Sequence, residues 1–402
     1  PGDGIDQDCD GVDGWTEEPA DPEPAPGASD VLAMAELRAR AHAKNVLVVL
    51  VDALRFDRLE DPLAATSPRL AGLSRRSVSF ARALSPAART PLSVPALLDG
   101  RRGGPGNTLF HAFHAAGARA GFVSIDVVLD QLHLADTLGG EVDLVGIPTE
   151  GERSVWGGGV HVFTGAAVTD AALRWVDAGP AAPAAGQRAP WLLWVHYFDA
   201  HQWDAIDGLR SIPGMPRRYD AALAEDDRAV GALLDGLEAR GLGQSTVVVL
   251  LADHGESLGD HGLRTHGFYL YPELVHVPMS VLVPGVPPRS IPTVVPTAAM
   301  TPTLLDLMQI AARQDGAEAS LVPLMAGATP PDGVAPRPVV MQDTLQSALA
   351  LGPRLLRFTP GENATELSPL DDLDAMDPGD LVAREPDTAA RMSRALVSHL
   401  AP

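Results

Sequence analysis

Two widely separated segments share one construction, and together they restrict the fold more than anything else in the chain. Asn45-Val46-Leu47-Val48-Val49-Leu50-Val51 is a continuous aliphatic run that ends in Asp52. Thr246-Val247-Val248-Val249-Leu250-Leu251 is another, and it ends in Ala252-Asp253-His254-Gly255-Glu256-Ser257. A strand that is apolar at every position, not every second one, needs cover on both faces, as in a parallel sheet between layers of helix. Ligands of such sheets gather beyond the carboxyl ends of the strands. Both runs therefore deliver a carboxylate to one edge of one sheet, and the second adds a neighbouring imidazole. Adjacent Asp and His side chains are suited to holding a metal.

The rest of the chain alternates in the same way. Residues 66–76, 93–99, 107–117 and 166–177 read as helices, and 77–84 and 119–124 as strands. Trp191–Phe198 is a third largely apolar strand, broken by His196, and Asp199 follows it. In Tyr219–Arg240 the apolar positions Ala222, Ala229, Val230, Leu233, Leu234 and Leu237 fall on one helical face, and Gly241 and Gly243 stop the helix. Val277–Val283 reads as a strand and Thr301–Ile310 as a helix with Pro302 in its first turn. From about residue 312 the chain is Pro- and Ala-rich; it resumes at Val339–Gln342 and closes with a helix near 385–400. The expected fold is α/β: a mostly parallel central sheet with helices on both faces, over 44–311, and a small C-terminal subdomain over 312–402.

Composition sets limits on function. With 402 residues, 46% of them apolar, the chain has ample material for a large core. Its net charge of −22 argues against nucleic-acid phosphates as the main partner. An anionic substrate would need local help from a metal or from arginines. No apolar run is long enough to cross a bilayer, and membrane contact is left open. The chain begins at Pro1 without an initiator Met or a leader, which reads as a missing upstream part. Cys9 is the single cysteine, so no internal disulfide framework exists.

Residues 1–30 are rich in Asp, Glu, Pro and Gly and read as a tail or linker. Within it, Asp6, Asp8, Asp10 and Glu17 have the spacing of a calcium loop. The flanks lack helical pattern, so the alternatives are an Asp-rich calcium repeat and a solvated acidic linker.

The chemistry-bearing residues lie beyond the strand ends. Asp52, with Arg55 one turn later, is either a metal ligand or the cap of the following segment. Thr90 stands ten residues before Gly100 in Arg89-Thr90-Pro91-Leu92-Ser93-Val94-Pro95-Ala96-Leu97-Leu98-Asp99-Gly100. This spacing resembles the sulfatase family of the alkaline phosphatase superfamily, in which a nucleophile precedes the Gly of a Leu-Leu-Thr-Gly element. Val51-Asp52-Ala53-Leu54-Arg55 is similar to the first metal motif of that family, and Asp253-His254-Gly255 through His266-Gly267 to its second. Trp194–His201, Tyr219-Asp220 and Met300–Leu307 resemble further family segments, so the likeness extends over residues 44–400.

The resemblance implies a metal held by Asp52, Thr90, Asp253 and His254, with Thr90 as nucleophile and His266 and His201 contacting the substrate or protonating the leaving group. Sulfatases oxidise a Cys or Ser in a Cys/Ser-x-Pro-x-Arg context to formylglycine. Here Thr90 occupies that place and Val94 the Arg position. Oxidising a secondary alcohol gives a ketone, so Thr90 would act unmodified, as in the similar phosphoethanolamine transferases and lipoteichoic acid synthases. Ala53 stands where family members often carry a second Asp. The loss of a carboxylate favours one zinc or manganese over calcium or magnesium.

Three functions follow. The first is a metal-dependent hydrolase of sulfuric or phosphoric esters acting through a covalent Thr90 intermediate. The second is a transferase passing a phosphoethanolamine- or glycerol-phosphate-type group to an alcohol. The third is a non-enzymatic secreted calcium-binding protein on a degenerate hydrolase fold. The expected partner of the first two is a small-molecule, glycan or lipid-linked anionic ester, met in the periplasm, at the cell surface or outside the cell. Asp199 with histidines is a candidate second metal site, and His261 a further candidate. Arg89 either binds the substrate anion or faces solvent, with solvent the favoured reading; Arg75, Arg76, Arg101 and Arg102 read as solvated helix ends, and His196 as a core side chain with its polar needs met.

Overall fold

The computed structural model describes residues 27–101, 108–149, 160–179, 190–311, 316–328, 337–370 and 381–400. Nine strands of the first sheet are β1 (Asn45–Val51), β2 (Val78–Leu84), β3 (Arg119–Ile125), β4 (Asp143–Ile147), β5 (Trp191–Tyr197), β6 (Thr246–Leu251), β7 (His276–Val277), β8 (Met279–Leu282) and β9 (Arg289–Pro296). Their order is β4-β3-β5-β1-β6-β8-β2-β7, with β9 paired to β2. From β4 to β6 all neighbours are parallel, and β8 enters antiparallel to β6. The single expected strand 277–283 is split, because Pro278 has no N–H for the ladder. Its carbonyl instead accepts from Ala252 N.

Every residue of β1, β5 and β6 is buried, as their predominantly apolar composition requires. Cover comes from helices such as Gly165–Asp177 and Met215–Ala239, whose Val168, Ala172, Leu223, Val230 and Leu233 join the same core. Burying one such leucine or valine stabilises the fold by about 1.5–3 kcal/mol. The tail expected over 1–30 gives way earlier than anticipated, since a helix runs over Ala28–Ala41.

Register builds the site. Central β1 lies between β5 and β6, with Val51 opposite Tyr197 and Leu50 opposite both His196 and Leu251. Asp52 therefore emerges level with the loops that follow β5 and β6. Alternation along a strand places Asp52 on the same face as Leu50, and thus on the face of His196.

A second, antiparallel sheet contains β10 (Val339–Gln342), β11 (Ser347–Leu351), β12 (Arg354–Thr359) and β13 (Ala364–Pro369). Its faces separate with period two. Val339, Met341, Ala348, Ala350 and Leu355 pack towards Leu84, Ala88, Leu270 and Leu274 beside the first sheet. Val340, Leu349, Leu356 and Leu367 pack against Met392 and Leu396 of the helix Pro386–Leu400. No helix among the described residues is long and apolar enough to cross a membrane.

Candidate metal and nucleophile site

Asp52, Asp253 and His254 converge as the strand ends predict. One donor atom from each lies within 4.8 Å of the other two, and all three side chains are fully buried. Each carboxylate has one tethered oxygen and one free one. Asp52 Oδ2 accepts from His196 Nε2 at 2.9 Å and from Thr90 Oγ1 at 3.2 Å. Asp253 Oδ1 accepts from the backbone N–H groups of Ala53 at 3.3 Å and His254 at 3.0 Å. Asp52 Oδ1 and Asp253 Oδ2 are buried without a partner among the described residues. They stand 3.4 and 3.5 Å from His254 Nε2.

The tautomer of His254 follows from its other nitrogen. Nδ1 lies 2.8 Å from the Gly255 carbonyl, which can only accept, so Nδ1 carries the hydrogen. Nε2 is left with its lone pair turned to the two orphaned oxygens. Two orphaned carboxylate oxygens facing an imidazole nitrogen are costly in a buried place unless a cation neutralises them. The donor set thus fits a divalent metal. In the apo form, burial and the negative charge of Asp52 push the Asp253 carboxyl above its ordinary range. Burial acts on Asp52 too, but His201, the hydrogen bond from His196 and His254 outweigh it and hold that carboxyl low.

Thr90 opens the helix Thr90–Asp99, three residues earlier than the expected start at 93. Its Oγ1 is 3.2 Å from both Asp52 Oδ2 and His254 Nε2 and is nearly buried. The loop before it is tied to the second strand end by the hydrogen bond from Ser85 Oγ to the Asp253 carbonyl.

His266 and His201 complete a ring cluster. The His266 ring lies 4.3 Å from that of His254 and 4.6 Å from that of His201. His266 Nδ1 donates to Glu256 Oε2 at 3.1 Å, and Glu256 also accepts from Trp203 Nε1 at 3.0 Å. Burial lowers the pKa of His266, but the Glu256 carboxylate more than compensates and raises it to about 9. At neutral pH His266 is cationic. His201 is the opposite case. Val160 N–H donates to Gln202 Oε1, which fixes the amide so that its NH2 group donates to His201 Nδ1. Burial, with the neighbouring His266 and His254, lowers His201 to about 3, so it is a neutral ring with its hydrogen on Nε2.

Comparison with known proteins agrees with this layout. The "Sulfatase" family description matches residues 165–310. A delta 4,5-hexuronate-2-O-sulfatase of Bacteroides thetaiotaomicron is 33% identical over 104 residues, 25% of this chain and 22% of that protein. Mouse (Mus musculus) arylsulfatase K is 32% identical over 112 residues, 28% and 20% of the two chains. These aligned segments span about a fifth of the relatives' own length. Among solved structures, a 2-O GAG sulfatase superposes with a TM-score of 0.69 at 16% identity, covering 89% of this chain and 92% of the other. A phosphonate monoester hydrolase of Agrobacterium radiobacter superposes with a TM-score of 0.67 at 15% identity, covering 88% and 95%. Residues 165–310 are thus similar to the sulfatase family, and the fold is shared with solved sulfatases and a phosphonate monoester hydrolase. The family match contains Asp253, His254, His201 and His266, while Asp52 and Thr90 precede it.

At this site, four expectations change. His196 is not a passive core residue, because its Nε2 holds Asp52 and its Nδ1 is an orphaned buried nitrogen. Among the described residues, Asp199 joins no group of donors that could hold a metal. Its oxygens accept from Thr164 N, Thr164 Oγ1 and Gly165 N, and so cap the helix Gly165–Asp177. Arg89 is not simply solvated: its Nε lies 3.1 Å from Asp343 Oδ1, and its Nη2 donates to Thr344 Oγ1 at 2.7 Å. His261 pairs with Glu273 at 2.9 Å and stacks on Tyr271, outside the metal-binding group. Glu256 was not singled out from sequence, although a carboxylate directly after Asp-His-Gly at a strand end is a visible signal. The calcium-loop residues Asp6, Asp8, Asp10 and Glu17 lie outside the described residues.

Proposed function

We propose that this protein is a metal-dependent hydrolase of sulfate or phosphate esters with unmodified Thr90 as its nucleophile. The observation that carries the reading is the position of Thr90 Oγ1, 3.2 Å from two members of a buried donor set whose two free carboxylate oxygens lack any partner among the described residues. Asp52, Asp253 and His254 would hold the cation, with Thr90 beside them. When bound, a divalent cation supplies positive charge that favours the ionised Thr90 oxygen and offsets charge on the transferred group.

The chain's own residues account for the other steps. His196 fixes the Asp52 carboxylate, and the Gly255 carbonyl fixes the His254 ring. Thr90 loses its proton to solvent, and its Oγ1 attacks sulfur or phosphorus. The bond to the ester oxygen breaks as the Thr90 bond forms. Cationic His266 gives its Nε2 proton to the departing alcohol, and Glu256 keeps the ring oriented through Nδ1. Neutral His201 offers a donor to the transferred group. A water then attacks the same sulfur or phosphorus, His266 takes its proton, and Thr90 departs with its oxygen. Ester and water give alcohol and free sulfate or phosphate.

The named relatives act on sugar sulfates or phosphonate monoesters, which supports an anionic sugar or small-molecule ester as the substrate class. An alcohol in place of water would make the same centre a transferase.

The deciding experiment loads the protein with zinc, manganese or calcium in turn. Aryl sulfate, aryl phosphate, phosphodiester and phosphonate monoester are then offered to wild type and to Thr90→Ala. Turnover that Thr90→Ala abolishes, with a sulfo or phospho group on Thr90 in peptide mass spectra after a quenched burst, supports the reading. A wild type that turns over none of these esters with any metal overturns it. So does a rate indifferent to Thr90→Ala. Added alcohols that capture the group separate transfer from hydrolysis.

A further inference from the structure

We propose that Arg89 is a specificity residue that receives a second anionic group of the substrate, a carboxylate or another sulfate or phosphate a few atoms from the reacting ester. The inference rests on the ester-hydrolase reading and deepens it.

Arg89 directly precedes Thr90 and caps its helix in an extended conformation, φ −161° and ψ 146°. Successive side chains of an extended backbone diverge, so the guanidinium leaves the buried nucleophile for the rim. It passes over Gly267, where a built Cβ would lie 4.0 Å from Arg89 Cδ. Gly267 follows His266, so the arginine stem runs beside the group placed to protonate the leaving oxygen.

The guanidinium is held, yet only partly used. Asp343 is fully buried, and its Oδ1 lies 3.1 Å from Arg89 Nε. Its oxygens also accept from Ala88 N at 3.1 Å and Thr344 N at 2.6 Å, so Asp343 is itself fixed by backbone. Thr344 Oγ1 takes one N–H of Nη2. Nη1 has no partner among the described residues, and the side chain is 33% exposed. The Nη1–Nη2 edge is the one that grips a carboxylate or phosphate with two parallel hydrogen bonds. The neighbouring arginine of the site cannot serve, because Arg55 is spent on Asp57, Asp260 and the Glu256 carbonyl. In a chain of net charge −22, a fixed cation with a free edge at the mouth of an anion-processing site is a selective feature.

The test compares paired probes: phenyl sulfate and phosphate against the corresponding esters of 4-hydroxybenzoate, which add one carboxylate to the leaving group. Wild type should favour the carboxylated partner in kcat/KM, mainly through KM. Arg89→Ala should cut that preference about tenfold, and Arg89→Lys should restore part of it. Binding of the same esters to Thr90→Ala, with and without Arg89→Ala, is measured by calorimetry and does not need turnover. If no ester is turned over, the hydrolase reading fails. Tighter binding of the carboxylated ester, abolished by Arg89→Ala, would still support the role of Arg89. Equal preference in wild type and Arg89→Ala, in both rate and binding, overturns it. Thermal melts of the variants exclude a folding defect.

Discussion

Replacing Glu256 by Gln tests the acid role of His266 more sharply than replacing the histidine itself. Glu256 is almost wholly buried, and its Oε2 accepts from both His266 Nδ1 and Trp203 Nε1, while Oε1 accepts from Ser257 N. A glutamine can keep its oxygen at the Oε2 position, so ring orientation survives. Its NH2 group then faces the Ser257 N–H, a donor conflict that costs about 1–3 kcal/mol of stability. The electrostatic loss is separate. Burial alone depresses His266, and Glu256 is the largest influence lifting it to about 9. Without that carboxylate the pKa should fall to or below the ordinary value of about 6.5. At pH 8 the cationic fraction then drops from about 0.9 to about 0.03 or less, so kcat/KM should fall at least about 30-fold. At pH 6 both proteins remain largely protonated, and the deficit should shrink by a factor of about 20 or more. The assay is kcat/KM for one ester from pH 5.5 to 9.5 in the metal-loaded proteins. Stability has the same sign: the His266–Glu256 contribution is full below about pH 6.5 and is lost as pH rises through about 9. A deficit of equal size at pH 6 and pH 8 would refute the reasoning, because Glu256 would then be acting through structure alone.

Three further outcomes follow from the same geometry. His196→Phe keeps the volume of a buried ring but removes the hydrogen bond to Asp52 Oδ2, so metal affinity should fall about 10–100-fold in a chelator-competition titration; unchanged affinity would return His196 to a packing role. Asp226→Asn should make stability less sensitive to pH. Burial and Asp199 raise the Asp226 carboxyl well above its usual range and its Oδ1 is orphaned, so wild-type stability is eroded as pH rises and that group is forced to ionise. The melting temperature of wild type should decline more than that of the variant between pH 5 and pH 8, and parallel curves would contradict this. Gly255→Ala places a Cβ 2.0 Å from the Glu273 carbonyl oxygen, a backbone atom that cannot yield, and should cost more than about 4 kcal/mol or abolish soluble expression.

What the sequence revealed depended on how local each signal was. β1, β5 and β6 were legible because all but one residue in each is apolar, a pattern that reports burial without knowledge of neighbours. β4 and β9 were not anticipated. Asp143–Ile147 is half-exposed and contains Gly146, while Arg289–Pro296 contains Pro292 and Pro296, so neither looks like a strand in isolation. The donors Asp52, Asp253 and His254 stand at strand ends and were visible for that reason. His196 was misjudged because its value arises from the register of β5 on β1, which no local pattern encodes. Arg89 was misjudged for the same reason: Asp343 comes from a hairpin more than two hundred residues away.

That hairpin explains why the small second sheet sits where it does. The loop between β10 and β11 makes contact with both halves of the candidate centre. Gln342 N donates to the Pro86 carbonyl and Ala88 N to Asp343 Oδ2, on the approach to Thr90. Leu345 N donates to the Phe268 carbonyl and Leu270 N to Gln346 Oε1, just past His266. The proposed nucleophile and the proposed acid reside on separate loops of the first sheet, and the hairpin ties both to one element. Such pinning matters because a displacement of about 1 Å can cost a reaction about 100-fold. The antiparallel sheet is stiffened in turn by apolar packing on both faces, against Leu270 and Leu274 on one side and Met392 and Leu396 on the other. A surface appendage would need only the second of these contacts. The first makes the sheet a structural part of the site, so its hairpin and the two active loops are constrained to vary together.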